Sequence, residues 1–264
     1  MSNIIISLVL ASLLMPAGFN FFFQRSVDHS FIGNLAENVL APQRLINKSF
    51  GLKTTSDNIL VVDDESQLVL YDKNASEVAP IASITKLMAA LVFLDTSPDW
   101  DELVTIKRED QRPGGQVYLL TNEKVTVKDL FNLALTASSN EAAIALARIS
   151  GIENFSAAMN RKAAALGMAD TFFVEPTGLE LENVSTARDL IKLADAAFDR
   201  EEITEALTRS NYNFLVKNNG RRGSSRNTNR LLNSFLNSNS YEIIGAKTGF
   251  LNEAGYCFLI KVKK

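Results

Sequence analysis

Histidine and cysteine are almost missing from this 264-residue chain, which has one of each, His29 and Cys257. A lone cysteine excludes an intrachain disulfide and a zinc site built on cysteines. A hydrolase with histidine as its base would have to use His29, which lies in a stretch that reads as leader or linker. If the chain is a hydrolase, its proton shuttle is therefore expected to be another group. No Lys/Arg-rich run is present and the net charge is −3, so nucleic acid is not expected as a partner. Internal repeats and low-complexity segments are also lacking. What is there is ordinary: 46% hydrophobic and 22% charged residues. That is enough apolar material for a sizeable core, in one large domain or two small ones.

The first 25 residues, MSNIIISLVLASLLMPAGFNFFFQR, are apolar from Ile4 to Phe23 apart from Pro16 and Asn20. They read as a signal peptide or signal anchor. No Lys or Arg precedes the apolar run, and no clean small-x-small cleavage site follows it. About 20 apolar residues just span a bilayer, so cleavage and anchoring both stay open, beside a buried N-terminal helix. Export puts the remainder outside the cytoplasm. The C-terminus carries no amphipathic anchor, so a membrane tether is expected only at the front. Residues 26–57 read as a linker, and 58–264 as the functional domain.

Within that domain, NILVVDDESQLVLYDKN (58–74) predicts a hairpin turning at Asp63–Ser66. PIASITKLMAALVFLD, Pro80 to Asp95, predicts a helix. ELVTIKRED and GGQVYLL read as short strands or extended arms. Three helices follow, over TVKDLFNLALTAS, NEAAIALARIS and NFSAAMNRKAAALGM. TFFV reads as a strand and EPTGL as a turn. Ser185 is the expected N-cap of TARDLIKLADAAFD. YNFLVK reads as a strand, NNGRRGSS as a polar loop, and YEIIGAKTGF with AGYCFLIKVKK as neighbouring antiparallel strands. Strands at both ends with helices between predict an α+β fold: an antiparallel sheet built from both chain ends, plus a helical subdomain.

The Pro80–Asp95 helix leaves almost no face for water, yet it carries Lys86 three residues after Ser83. Residues i and i+3 share a helix face, so hydroxyl and amine can meet. Serine needs a base to become a nucleophile. A lysine desolvated among apolar side chains loses preference for its charged form and can become one. The bland alternative is a snorkelling lysine beside a capping serine. An isolated S-x-x-K favours that alternative, but this one is not isolated. TASSNEAA places Ser138 and Asn140 at a junction between two helices, where local capping is the competing reading. GAKTGF puts Lys247, Thr248 and Gly249 on a strand, and the glycine lets a ligand backbone come close. S-x-x-K, S-x-N and K-T-G in this order form a specific set.

Those three motifs, with LYDKNASEVAPIASITKLMAA, FFVEPTGLELENVSTARDL, SRNTNRLL and AKTGFLNEAGYCF, resemble the penicillin-binding serine DD-peptidases of low molecular mass, the D-alanyl-D-alanine carboxypeptidase family. The sequence is most similar to the DD-endopeptidase branch, the penicillin-binding protein 7 type. The resemblance covers roughly Asn58 to Lys261 and implies a β-lactamase/transpeptidase-like fold. It implies Ser83 as acylated nucleophile, Lys86 as its base, and Ser138 as relay to the leaving amine. Asn140 would orient Lys86 and bind the substrate amide. Lys247 would draw in a carboxylate, and Thr248 would hydrogen-bond the substrate beside Gly249. The backbone N–H groups of Ser83 and Phe250 would form the oxyanion hole. The implied substrates are peptidoglycan stem peptides, with β-lactams as mimics. No cofactor or metal is implied, the protein is expected to be a monomer, and the location is the periplasm or the outer face of the cytoplasmic membrane.

The family continues past the strand after K-T-G with another strand and a closing helix. This sequence stops at Lys264, so the C-terminal part of the fold is expected to be truncated, with an exposed edge. Two other readings compete. A class A-like β-lactamase shares the motifs and would need a deacylating carboxylate, for which Glu175 lies in the right interval. A truncated, non-catalytic peptidoglycan-binding module is the other, although a binder has no need of a desolvated lysine beside a serine.

Overall fold

The computed structural model of the chain describes residues 3–10, 42–43, 53–234, 237–238 and 241–264. His29 and nearly all of the expected linker lie outside the described residues. In chain order the elements begin with strands β1 (Asn3–Leu10), β2 (Ile59–Asp63), β3 (Val69–Lys73) and β4 (Ala79–Pro80). Helix α1 (Thr85–Leu94), strands β5 (Leu103–Thr105) and β6 (Lys124–Thr126), and helices α2 (Val127–Thr136), α3 (Asn140–Ile149) and α4 (Phe155–Ala165) follow. The chain then returns through β7 (Val184–Ser185), α5 (Ala187–Phe198), α6 (Glu201–Thr208), β8 (Asn211–Leu215), β9 (Arg222–Arg226), β10 (Glu242–Leu251) and β11 (Gly255–Lys263).

The main sheet has the order β10-β11-β1-β2-β3, with every pairing antiparallel. The expected hairpins at both ends of the domain, β2–β3 and β10–β11, supply four of its strands. The turn of the first is closed by Asp63, whose carboxylate accepts from the Ser66 N–H at 3.0 Å. β1 fills the place between the two hairpins, with Ile6 opposite both Ile260 and Val61. Only Asn3–Leu10 of the expected leader are described, and they are a sheet strand, not a helix. Among the described residues, no helix is long and apolar enough to cross a membrane.

All ten residues of α1 are buried. A helix apolar on every side belongs inside a protein, and α1 is packed by α2, α3 and α4 of the helical subdomain and by α5 from the sheet side. Phe131 of α2 anchors this core between Phe93, with ring centres 6.5 Å apart, and Trp100, edge-on at 5.2 Å. α5 covers β2 and β11, while α6 lies along β10. The front of α1 therefore lies where the helical half meets the β10 edge of the sheet.

Several local expectations shift. The helix predicted from Pro80 starts at Thr85: Pro80 pairs in β4, and Ala82–Ile84 form a 3-10 turn. Thr186, not Ser185, caps α5 by accepting from the Asp189 N–H at 3.1 Å. Ser185 is instead paired with Ala79 in β7. NNGRRGSS is not all loop, because Arg222–Arg226 pair with β8. Its polar composition hid the strand, which has little apolar partner surface beyond the ring of Phe214 packed over Gly223. GGQVYLL forms no strand: Glu141 holds it from below, accepting from the N–H groups of Tyr118 at 2.6 Å and Leu119 at 3.1 Å.

Candidate active site

Lys86 is 1% exposed, at the front of α1. It shares the lining of a small cavity with apolar side chains including Ala89, Ala90, Phe131 and Leu135. Its Nζ has three oxygen neighbours: Ser83 Oγ at 3.0 Å, Asn140 Oδ1 at 2.8 Å and the Thr177 carbonyl at 2.7 Å. Burial drives its pKa from 10.5 down to about 7, against the opposing pull of Glu175 and Glu141. The 3-10 turn keeps Ser83 within reach although it precedes α1, and Ser83 is only partly buried. A buried amine thus touches a hydroxyl that solvent or a ligand can reach.

The competing capping reading at the α2–α3 junction is answered by the residue between the two candidates. Ser139 is the N-cap of α3, accepting from the Ala142 N–H at 3.2 Å. That frees Ser138 and Asn140 for other work. Asn140 accepts from Lys86 and donates through Nδ2 to the Gly114 carbonyl at 3.0 Å, which fixes which end of the amide faces the amine. Ser138 does not touch Lys86; its Oγ accepts from Lys247 Nζ at 2.9 Å.

Lys247, on β10, is also 1% exposed. Burial, and then the nearby Lys86, push its pKa well below the ordinary lysine value. Thr248 donates to Thr228 Oγ1 at 2.6 Å. Gly249 has a steric reason for its identity: a Cβ there would come within 3.0 Å of the Ser83 nitrogen and of the Ala82 Cβ. Any side chain there would crowd the serine turn unless β10 moved away by a few tenths of an ångström. Phe250 is half exposed, with its ring centre 4.6 Å from that of Tyr256. The eight sequence-derived candidates, Ser83, Lys86, Ser138, Asn140, Lys247, Thr248, Gly249 and Phe250, thus fall on three stretches of chain: the serine turn with the front of α1, the α2–α3 junction with the first residue of α3, and β10.

Some of the site was not anticipated. Ala82 (φ 46°) and Ser138 (φ 59°) both adopt left-handed backbone that side-chain-bearing residues rarely occupy. Each costs on the order of 1 kcal/mol or more, and such strain clusters at working sites. The EPTGL turn supplies the Thr177 carbonyl, and its only legible signal was Pro and Gly. Glu175 makes no hydrogen bond to Ser83 or Lys86. Its carboxylate is filled by donors from its own loop: Thr177 N and Oγ1 at 2.6 Å each, Gly178 N at 2.5 Å, Leu179 N at 2.9 Å and Asn183 Nδ2 at 2.5 Å.

The chain is similar to known proteins over most of its length. The D-alanyl-D-alanine carboxypeptidase family matches residues 46–264. The D-alanyl-D-alanine endopeptidases of Pseudomonas aeruginosa and Escherichia coli are each 39% identical over 210 residues, covering 78% of this chain and 66% of the relative. A D-alanyl-D-alanine carboxypeptidase of Bacillus subtilis is 33% identical over 78% of this chain and 53% of its own length. The chain thus spans just under two thirds of the two endopeptidases and about half of the Bacillus protein. Among solved structures, the Streptomyces K15 DD-transpeptidase superposes with a TM-score of 0.65 at 29% identity, over 75% of this chain and 84% of that one. A D-alanyl-D-alanine carboxypeptidase of Mycobacterium tuberculosis gives 0.68 at 27% identity, over 78% and 81%.

Proposed function

The chain belongs to the D-alanyl-D-alanine carboxypeptidase family, and from that premise we propose that it is a penicillin-binding serine DD-peptidase acting on peptidoglycan stem peptides. The observation that carries the proposal is the set of oxygens around Lys86 Nζ. A neutral amine has two hydrogens and one lone pair. The Asn140 Oδ1 and the Thr177 carbonyl can only accept, so they take the two hydrogens. The lone pair is left facing Ser83 Oγ, which can donate its proton to it.

The reaction follows as acyl transfer in two steps. Ser83 passes its proton to Lys86 as Oγ attacks the carbonyl carbon of a D-Ala-D-X bond. The developing oxyanion is received by the N–H groups of Ser83 and Phe250; losing one such donor typically costs about 10²–10³ in rate. The C–N bond breaks, and the proton passes from Lys86 to the leaving amine by way of Ser138, which the resting site holds on Lys247 and which must close on Lys86 once substrate is bound. Water then hydrolyses the ester and frees Ser83. Lys247 orients Ser138 in the resting site, where its own charge is disfavoured. A carboxylate arriving at Thr248 would pull its proton affinity back up and pair with it.

The β-lactamase alternative needs a free carboxylate to activate deacylating water, and Glu175 is occupied by five donors. The binding-module alternative leaves the oriented Ser83–Lys86 pair without a use. Endopeptidase action on cross-links is favoured by the similarity to the two endopeptidases. Export to the periplasm or outer membrane face, directed by the apolar N-terminal segment, belongs to the same proposal. Within one molecule, sheet strand and membrane tether are exclusive uses of Asn3–Leu10.

Fluorescent penicillin tests the reading. A stable adduct on the wild-type protein, absent in Ser83→Ala, is expected. No adduct, or an equal adduct in the variant, refutes it, and rapid turnover of penicillin favours the β-lactamase. Chromatography of products from cross-linked dimer and pentapeptide then separates endopeptidase from carboxypeptidase, with cleavage of the dimer expected.

A further inference from the structure

Glu175 is the most heavily hydrogen-bonded carboxylate beside the site, and no step above uses it. Three of its donors are consecutive backbone N–H groups, those of Thr177, Gly178 and Leu179. Such a run curls the chain around an anion. Here the anion is a side chain of the same loop. The curl has two consequences at the nucleophile. The Thr177 carbonyl points back to Lys86 Nζ, at 2.7 Å. Gly178, at φ 82°, packs so tightly on the residue before Ser83 that a Cβ would fall 1.9 Å from the Ala82 carbonyl oxygen. Asn183 completes the knot: its Nδ2 donates to Glu175, its Oδ1 accepts from the Val174 N–H at 2.8 Å, and its carbonyl accepts from the Ile81 N–H at 3.1 Å.

We propose that Glu175 is a positioning residue for the serine peptidase reaction: it shapes the 177–183 loop so that the Thr177 carbonyl holds one hydrogen of Lys86 and the amine's lone pair faces Ser83. This rests on the Ser83–Lys86 reading above. A carboxylate is required because the surrounding groups are all donors, and an amide would set its NH₂ against at least one of them. Removing either acceptor of Lys86 frees the amine to turn its lone pair away from the hydroxyl. Glu175 has a second, longer-range effect through its negative charge. The charged groups facing Lys86 are Lys247 on β10, Glu141 on α3 and Glu175 itself. Of these, the two carboxylates favour the protonated amine.

The test is the rate of fluorescent-penicillin acylation across pH for wild type, Glu175→Gln and Glu175→Asp, with thermal melts run alongside. In Glu175→Gln, acylation at the pH optimum is expected to fall by about tenfold or more, the size of one lost hydrogen bond to a charged group. Its acid limb is expected to move to lower pH, because a charge that favoured protonated Lys86 is gone. Glu175→Asp keeps the charge but shortens the reach; it should acylate slowly with the acid limb in place. A role confined to loop stability lowers the melting temperature of Glu175→Gln while its acid limb stays put or moves up, and that result overturns the proposal. So does a wild-type rate in either variant. Should Glu175→Gln not fold, Glu175→Asp decides alone by its rate. Wild-type protein that forms no adduct refutes the peptidase reading, and this inference falls with it; a wild-type adduct with unaffected variants refutes only the role of Glu175.

Discussion

Lowering the pH from 7 to 5 is expected to slow acylation of Ser83 about 50-fold, given a base with pKa near 7. At pH 7 about half of the Lys86 side chains are neutral. A solvated lysine at 10.5 would be neutral in roughly one molecule in 3,000. Burial therefore raises the supply of base more than a thousandfold at neutral pH. The sign follows from the acid–base roles: protonation removes the lone pair, so rate is lost as pH falls through 7 and is kept above it. Below pH 6 each further unit costs about tenfold, or about 1.4 kcal/mol of barrier. The assay is the second-order rate of labelling by a fluorescent penicillin, with circular dichroism at each pH to show that the fold persists. A rate unchanged between pH 5 and 8, or one still climbing steeply above pH 9, refutes the reasoning.

Other perturbations have separable outcomes. Asn140→Ala removes one acceptor from Lys86 and frees the Gly114 carbonyl; acylation is expected to fall about 10- to 100-fold, from about 1.5–3 kcal/mol for a hydrogen bond to a charged group, and a rate within twofold of wild type contradicts the orientation argument. Gly249→Ala places a methyl 3.0 Å from the Ser83 nitrogen; acylation should drop by about 10² or more as the oxyanion geometry opens, and labelling at the wild-type rate would remove the steric case for glycine. Asp110, fully buried, accepts from Arg148 Nε and Nη2 at 2.8 Å each and makes no hydrogen bond to a site residue. Asp110→Asn is expected to cost about 1.5–3 kcal/mol in urea unfolding with the acylation pH profile unmoved; a moved profile would mean that this ion pair is coupled to Lys86.

The chemistry was more legible than the scaffold, for a physical reason. The roles proposed for Ser83, Lys86, Ser138, Asn140, Lys247 and Thr248 are side-chain roles, and side chains are what a sequence spells out. An ammonium in a helix without a wet face was itself a visible anomaly. The Thr177 carbonyl is a backbone group that any residue type could have supplied, so nothing in its letter marked it. The left-handed φ of Ala82 and Ser138 is likewise imposed by tertiary contacts against local preference. Among the elements, the long hairpins and the apolar helices were evident from their periodicity. β9 was not, since Arg222–Arg226 owe their strand to pairing with β8 rather than to β-forming side chains. The choice of Thr186 over Ser185 as helix cap turned on one residue's pairing with Ala79, which adjacent hydroxyl residues do not disclose. Glu175 was noticed only as a candidate base; its five donors lie in a curl that a turn motif does not describe.

The proposed chemistry requires that Lys86 lose its proton near neutral pH within the folded protein. Titration of its ¹⁵Nζ and ¹³Cε resonances, assigned by their absence from Lys86→Met, reads this without any substrate. A midpoint near pH 7 is expected. A Lys86 that stays charged until about pH 10, like an ordinary solvated lysine, would contradict it.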